Sequence, residues 1–408
     1  MRRPVAFPRL LAFVTLPVLA VVVQSCGGGS AHNNETTTPI VTTGNNVQAV
    51  TVNSGPTANY ANGIFTSVTV CVPSTSNCQT ISGILVDTGS YGLRLLSSAG
   101  GGALTLSLPQ QNAADGNPVG ECAGFVSGYT WGPVKTADIQ IGGESASNLP
   151  VQVVDPTFAA VPPACQNGGV PENDTLQTLG ANGILGVGPF AQDCGSQCQT
   201  AGSGNPGLYY ECASTSCQIT PVTLAQQVQN PVPLFAADNN GVILELPAVS
   251  NPEATLSGSL VFGIGTQSNN SLASATVFPV NSDGEFTTTY KGQSYPAFID
   301  SGSNAYFFLD APTTGLTVCP DNSGFYCPGI PTNLTAATTS GNTTSSVTFT
   351  VTSADILFSS PTNAVFSTLA GPNPGTFDWG LPFFFGRNVY TAIDARSTPG
   401  GVGPYWAY

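Results

Sequence analysis

Hydrophobic positions in this chain occur in short runs that are separated by turns rich in Gly, Pro and Asn. From about residue 60 onward these runs are rich in β-branched and aromatic residues, which is typical of strands. Examples are Ile64–Val72, Ile84–Val86, Ala137–Ile141, Leu149–Val154, Val242–Leu246 and Leu260–Phe262. The pattern predicts an all-β protein with few short helices. Its best helix signal is Pro221–Gln229, with Thr220 as the N-cap.

One unit of this pattern occurs twice. The segment Leu85–Ser90, with the sequence LVDTGS, recurs as Phe298–Ser303, with the sequence FIDSGS. Each copy is followed by an apolar stretch and later by a hydrophobic pair or near-pair and a glycine, at Ile184–Gly186 and Asp378–Gly380. Two copies of one unit predict two related lobes around a pseudo-twofold axis.

The repeat places an aspartate, Asp87 or Asp300, directly after each apolar strand. The hydroxyl residue and the glycine that follow let the backbone turn tightly, so that the two loops can approach each other. Two carboxyl groups that meet in this way cannot both ionise, and they share a proton. The ionised group can deprotonate a water molecule while the protonated group donates to a substrate carbonyl. The residues expected to support the pair are Thr88, Gly89, Ser90, Ser301, Gly302 and Ser303.

The two loops resemble the active-site signatures of the pepsin-like aspartic peptidases. The similarity continues in order along about residues 60–408. Asn182–Gly188 resembles the DGILGLG segment of that family, Pro221–Gly265 resembles the end of its first lobe, and Gly380–Asp394 is similar to its closing segment.

The resemblance implies the bilobal pepsin-like aspartic peptidase fold, with two pseudo-twofold-related β-barrel-like lobes. It implies that Asp87 and Asp300 are the catalytic pair of an aspartic-type endopeptidase. Such an enzyme binds extended peptide in the cleft between its lobes, where a flap hairpin can pair with the peptide backbone. No metal or cofactor is expected.

Two departures from the family pattern bear on activity. The family carries a flap tyrosine before a turn similar to Ile141–Gly143, and its spacing leads here to Phe125, with Tyr129 and Trp131 nearby. These three aromatic residues are predicted to form the flap and contact substrate. Leu381 stands where the family has an aspartate. Both departures keep a second hypothesis open, in which the scaffold binds a peptide, a glycan or another enzyme without cleaving it.

The N-terminal segment is predicted to be a signal peptide, residues 1–25. Three arginines precede the apolar run Leu10–Val23, which is too short to span a bilayer comfortably. The run ends in Val23–Cys26, which resembles the lipobox of bacterial lipoproteins and predicts lipid attachment at Cys26. The alternative is an ordinary cleaved signal with an incidental cysteine.

Three further segments follow the predicted signal peptide. Residues 26–59 are rich in Gly, Ser, Asn and Thr and are expected to be a lipidated N-terminus and flexible tether. An N-terminal lobe is predicted at residues 60–268 and a C-terminal lobe at residues 269–408.

Ten cysteines remain when Cys26 is set aside. An even number in an exported chain predicts up to five disulfides in an oxidising compartment. The spacing favours Cys71–Cys78 and Cys319–Cys327 as local pairs. Four further cysteines between residues 194 and 217 form a cluster whose connectivity stays open. A zinc site also fits their spacing, but export favours disulfides.

The balance of charge restricts the partners. Without the predicted signal peptide, 5 basic residues face 22 acidic ones, so nucleic acid is excluded as a partner. Attachment to a membrane is expected only through the N-terminal lipid.

The expected partner is a peptide or protein substrate, and the protein is expected to be a monomer. The expected location is the bacterial envelope, as a periplasmic lipoprotein anchored in the outer membrane, or the cell surface.

The count of histidines narrows the chemistry further. The chain has one histidine, His32, which lies in the predicted tether. A Ser-His-Asp triad, a Cys–His pair or a His-ligated zinc site therefore has no candidate histidine in the predicted folded part. If the chain is an enzyme, its catalytic groups are expected to be carboxylates.

Overall fold

The computed structural model describes residues 40–166, 169–213 and 216–408. The predicted signal peptide and the predicted lipid attachment at Cys26 lie outside these residues. Nearly all regular structure is β-strand, and the helices are one turn long, so the prediction of an all-β fold is confirmed. No described helix has the length and apolar character that crossing a membrane would require.

The described strands are numbered in chain order. Those of the first half are β1 Val47–Asn53, β2 Gly63–Cys71, β3 Cys78–Asp87, β4 Tyr91–Leu96, β5 Val119–Phe125, β6 Gly128–Ile141, β7 Glu144–Val154, β8 Gly183–Val187, β9 Tyr209–Ala213, β10 Ser216–Ile219, β11 Gly241–Glu245 and β12 Leu256–Phe262. Those of the second half are β13 Val277–Pro279, β14 Phe286–Tyr290, β15 Gln293–Ile299, β16 Tyr306–Leu309, β17 Thr332–Ser340, β18 Thr343–Val351, β19 Ala370–Gly371, β20 Asn373–Trp379, β21 Asn388–Ala392, β22 Ser397–Thr398, β23 Gly401–Val402 and β24 Tyr405–Ala407.

The helices are short and lie between strands. The α-helices are α1 Leu176–Leu179, α2 Ala311–Thr314 and α3 Ala354–Leu357. Single 3-10 turns occur at Ser98–Gly100, Gly195–Gln199, Leu224–Gln226, Val232–Leu234 and Leu381–Phe383.

Two large sheets organise the fold. The larger has 15 strands in the order β10-β9-β5-β6-β7-β4-β8-β3-β2-β1-β12-β11-β21-β24-β13, and the smaller has 7 in the order β18-β17-β14-β15-β20-β16-β19. Strand β21 pairs with β11, so strands from the end of the chain complete a sheet begun in its first half. The halves of the chain therefore share one continuous sheet.

The sequence repeat corresponds to one repeated arrangement of strands. In the first copy β3 pairs in parallel with β8, and β8 pairs antiparallel with β4. In the second copy β15 pairs in parallel with β20, and β20 pairs antiparallel with β16. Each arrangement holds the turn that follows β3 or β15 in the same position relative to its sheet.

Contacts between the two halves fix the segment that precedes β2. Asn62 has a φ of 52°, in the left-handed region that asparagine tolerates well. Its side-chain nitrogen donates to the carbonyl oxygens of Asn304 (2.8 Å) and Phe366 (2.9 Å). Its side-chain oxygen accepts from the Phe366 backbone nitrogen at 2.7 Å. These bonds hold the neighbouring Tyr60 close to the second half of the chain.

The helix prediction for Pro221–Gln229 is wrong. The segment contains only the 3-10 turn Leu224–Gln226, which is capped by Thr223 rather than Thr220. Backbone groups after the turn are bonded elsewhere: the Val228 nitrogen donates to the Tyr209 hydroxyl at 2.7 Å, and the Asn230 nitrogen donates to the Ala191 carbonyl at 2.9 Å. These tertiary bonds replace the bonds that would extend a helix.

All ten cysteines of the described residues form disulfides. The pairs are Cys71–Cys78, Cys122–Cys165, Cys194–Cys198, Cys212–Cys217 and Cys319–Cys327. The two local pairs expected from spacing are confirmed, and the open cluster resolves into two local pairs rather than a zinc site. Five disulfides are consistent with a protein exported to an oxidising compartment.

Candidate active site

The two repeated loops each fold around their own aspartate. Asp87 is the last residue of β3, and Asp300 directly follows β15. The backbone nitrogen of Gly89 donates to Asp87 Oδ1 at 2.8 Å, and that of Gly302 donates to Asp300 Oδ1 at 2.7 Å. The same bond, two residues after each aspartate, gives both carboxyl groups the same orientation within their loops.

The loops meet so closely that only glycine fits at their tips. A Cβ atom added at Gly89 would lie 2.5 Å from Asp300 Cγ, and one added at Gly302 would lie 2.7 Å from Asp87 Oδ1. Each glycine therefore faces the carboxyl group of the opposite loop. The carboxyl groups of Asp87 and Asp300 thus lie next to each other where the loops meet.

Reciprocal hydrogen bonds beneath the carboxyl groups hold the loops together. The backbone nitrogen of Thr88 donates to Ser301 Oγ at 3.1 Å, and the backbone nitrogen of Ser301 donates to Thr88 Oγ1 at 2.9 Å. The two hydroxyls donate in turn to the opposite strands, Thr88 Oγ1 to the Ile299 carbonyl at 3.2 Å and Ser301 Oγ to the Val86 carbonyl at 2.8 Å. All these donors and acceptors are satisfied in a buried setting.

Two serines bond the outer oxygens of the carboxyl groups. Ser90 Oγ donates to Asp87 Oδ2 at 2.5 Å. Ser303 Oγ lies 3.1 Å from Asp300 Oδ2 and 2.6 Å from Asp378 Oδ2. The six supporting residues expected from the sequence are thus all placed within or between the two loops.

The environment favours the protonated form of Asp300. Burial raises the pKa of its carboxyl group well above the usual range, and repulsion from Asp87 and then from Asp378 raises the pKa further. Two carboxyl groups at hydrogen-bonding distance release their protons as a pair. Such a pair can act at once as an acid and as a base.

Close backbone crossings behind each loop require the glycines of the Ile184–Gly186 and Asp378–Gly380 segments. A Cβ atom at Gly186 would lie 2.6 Å from the Tyr91 nitrogen, and one at Gly380 would lie 2.0 Å from the Ala305 carbonyl oxygen. Both contacts are with backbone, which cannot move aside without shifting the strand after the aspartate. In each copy of the repeat, the glycine-containing segment therefore positions the aspartate loop.

Tyr60 lies near the pair, and sequence reasoning did not identify it. Burial raises the pKa of its hydroxyl, and the negative charges of Asp87 and Asp300 raise the pKa further. Its ring packs edge-on against Phe65 at 5.7 Å. Tyr60 carries no motif of its own, and only the folded position of the segment before β2 brings it to the site.

The flap prediction concerns the hairpin of β5 and β6. Phe125 pairs with Gly128 at its tip and is half-buried. Tyr129 and Trp131 are buried in a cluster that includes Tyr210 outside the hairpin, and the Trp131 indole nitrogen donates to the Ala159 carbonyl at 3.0 Å. Of the three predicted flap residues, Phe125 has the most exposed side chain.

A buried ion pair connects this hairpin to the strand after the first active-site loop. Arg94 of β4 lies 2.5 Å from Glu121 of β5 and 3.1 Å from Asp193. The guanidinium also lies 5.6 Å from the centre of the Phe125 ring. Burial and repulsion from Glu121 raise the pKa of Asp193. No sequence motif indicates this cluster, because its members are separated by long stretches of chain.

The described residues offer one grouping with the spacing of a metal site, formed by Cys319, Cys327 and Asp355. The two cysteines are bonded to each other, so neither can supply a thiolate. This grouping therefore lacks the donors that a metal ion needs.

Comparison with solved structures supports the fold assignment. The crystal structure of the aspartic proteinase from Irpex lacteus is similar, with a TM-score of 0.50 and 15% sequence identity over 88% of this chain and 96% of that chain. No curated protein sequence matches the chain. Residues 42–408 match the family described as "Protein of unknown function (DUF3443)". The chain therefore belongs to that family and has the pepsin-like aspartic peptidase fold.

Proposed function

We propose that this protein is an exported aspartic endopeptidase with Asp87 and Asp300 as its catalytic pair. The observation that carries the proposal is the close approach of the two equivalent loops, in which each glycine faces the carboxyl group of the opposite loop. The reciprocal bonds of Thr88 and Ser301 hold the pair rigidly, as this chemistry requires.

In the proposed reaction Asp87 is the base and Asp300 the acid. Asp87 takes a proton from a water molecule, the resulting hydroxide adds to the scissile carbonyl carbon, and Asp300 gives its proton to the carbonyl oxygen. The diol intermediate then returns one hydroxyl proton to Asp300, and Asp87 gives its proton to the peptide nitrogen. The C–N bond breaks and releases a carboxylic acid and an amine, with both aspartates restored.

The assignment of roles follows from the surroundings of each carboxyl group. Both carboxyl groups have a glycine nitrogen and a serine hydroxyl as hydrogen-bond partners, so these bonds do not distinguish them. Burial and two neighbouring negative charges favour a protonated Asp300.

The proposed substrate is an extended peptide held beneath the hairpin tip at Phe125. Extended peptide can add its backbone to a hairpin edge, as in other cases of strand addition. The protein is proposed to act as a monomer in the bacterial envelope, attached to the membrane only through lipid at Cys26.

A second candidate function is binding without cleavage on the same scaffold. The observation in its favour is Leu381, which is fully buried and apolar where the pepsin-like family has an aspartate. A protein of this kind would hold a peptide or glycan without changing it.

Incubation of the mature protein with a peptide library from about pH 3 to pH 7 tests the proposal. Cleavage that pepstatin inhibits supports the peptidase. Binding of intact peptides or glycans with no cleavage at any pH supports the second candidate.

A further inference from the structure

Asp378 lies beside the catalytic pair, and the first copy of the repeat has an apolar residue in its place. Asp378 is 4% exposed and pairs with Phe298, two residues before the second aspartate. The matching position opposite Leu85 is Ile184. The second copy therefore adds a buried carboxyl group. The proposed acid–base reaction of Asp87 and Asp300 does not itself require this group.

Ser303 connects this additional carboxyl group to Asp300. Its Oγ lies 2.6 Å from Asp378 Oδ2 and 3.1 Å from Asp300 Oδ2. A serine hydroxyl has one hydrogen and cannot donate to two carboxylates at once. Both bonds form only when one of the two carboxyl groups is protonated and donates to Oγ while Ser303 donates to the other.

We propose that Asp378 is a positioning residue that acts on the catalytic pair through Ser303. Asp300, Ser303 and Asp378 share one proton and act as one unit. Because of this unit, Asp300 stays protonated to higher pH than it would with Asp87 as its only neighbour. The kinetic consequence rests on the proposed peptidase function, whereas the proton binding does not depend on catalysis.

The charges around the unit are consistent with a retained proton. The titratable groups that face it are Asp87, which repels the charge of Asp300, and Tyr60, whose hydroxyl lies near both members of the pair. A buried, ionised carboxyl group is costly, and a shared proton removes one negative charge from this site.

The first test replaces Asp378 with Asn, which is nearly isosteric but cannot ionise. The alkaline limb of the pH profile of kcat/KM should move to lower pH by about one unit, because Asp300 then titrates without the negative charge of Asp378. The melting temperature should rise at pH 7 and stay unchanged at pH 4, since a group with a raised pKa stabilises the fold only while it is protonated. Asp283→Asn, at an exposed carboxylate, is the matched control and should change neither curve.

The two readouts separate this inference from the proposed function. If wild type cleaves no peptide, the peptidase proposal fails and the melting curves alone decide the role of Asp378. If Asp378→Asn matches wild type in its melting temperature at both pH values, the inference is overturned, whether or not peptides are cleaved.

The second test uses Ser303→Ala, which does not depend on the folding of the Asp378 variant. In the proposed unit, loss of the hydroxyl removes an acceptor from the protonated form, so the Asp300 titration moves to lower pH. If Ser303 only donates to ionised Asp300, as Ser90 donates to Asp87, the titration moves to higher pH and the inference is overturned. Carboxyl NMR of protein with ¹³C-labelled aspartate records the shift, and Ser294→Ala, at an exposed serine, is the control and should leave the titration unchanged.

Discussion

Thr88 and Ser301 exchange hydrogen bonds in both directions between the two active-site loops, at 3.1 and 2.9 Å. Both side chains are fully buried. Each residue supplies a backbone donor and a hydroxyl acceptor to the other, so removal of either hydroxyl leaves a buried N–H without its partner. The relationship makes the position of one catalytic carboxyl group depend on the loop that carries the other.

Loss of either hydroxyl should therefore destabilise the protein. We expect Thr88→Val and Ser301→Ala each to lower the free energy of unfolding by about 2 kcal/mol in urea denaturation, which is the typical cost of an unsatisfied buried group. The double variant should lose less than the sum, because both changes break the same network. Thr69→Val, in the exposed Thr69–Thr80 hydroxyl pair, is the control and should change stability little. Strictly additive losses would argue against a shared network.

A second carboxyl pair, far from the catalytic one in sequence, should make stability depend on pH. Glu144 hydrogen-bonds Asp238, and burial and repulsion from Asp238 raise the pKa of Glu144 to about 7. Thr266 and Gln267 both donate to Asp238. Because the folded pKa of Glu144 is raised, its stabilising bond is fully present below its unfolded pKa and is lost as pH rises through about 7.

Glu144→Gln tests this dependence, because the amide can donate to Asp238 at every pH. We expect the variant to melt at a higher temperature than wild type at pH 8 and at a similar temperature at pH 4. Glu253→Gln, at an exposed glutamate, is the control and should follow wild type at both pH values. A Glu144→Gln variant that melts below wild type at pH 8 would contradict the assignment.

The aromatic residues of the flap hairpin should separate into two kinds. We expect Phe125→Ala to lower kcat/KM with little change in melting temperature, because its side chain is only half-buried. Trp131 is 1% exposed, so Trp131→Ala should cost about 3–5 kcal/mol of stability. Thermal melts and cleavage assays on both variants make the comparison. Equal loss of stability in the two would show that Phe125 is a packing residue as well.

The sequence predicted those features that depend on neighbouring residues. The strand runs, the two aspartate loops and the disulfides Cys71–Cys78 and Cys319–Cys327 each have their signal within a short stretch of chain. Tyr60 and Asp378 could not be found in this way, because the fold brings them to the pair from distant segments. The sequence pattern places Asp378 in a near-hydrophobic pair, and only the folded structure shows its contact with Ser303.

The failed helix prediction has the same origin. Local capping and proline signals favour a helix over Pro221–Gln229, but Val228 and Asn230 donate their backbone hydrogens to Tyr209 and Ala191. Bonds to distant residues outweigh a weak local preference.

Asp87 and Asp300 are proposed to act together as acid and base. Asn at either position keeps the size of the side chain but can neither accept the proton of water nor donate one as a carboxylic acid does. The fold should tolerate both changes, and the melting temperature should stay the same or rise. Two adjacent carboxyl groups destabilise the folded state, and they are kept because the activity needs them. Wild type serves as the reference for both melting temperature and cleavage.

The most direct measurement is the rate at which wild type, Asp87→Asn and Asp300→Asn cleave casein or a peptide library from about pH 3 to pH 7. We expect cleavage by wild type, loss of most of the rate in each variant, and no additive loss in the double variant, because the two residues act as one unit. Variants that remain folded and cleave as fast as wild type would contradict the account.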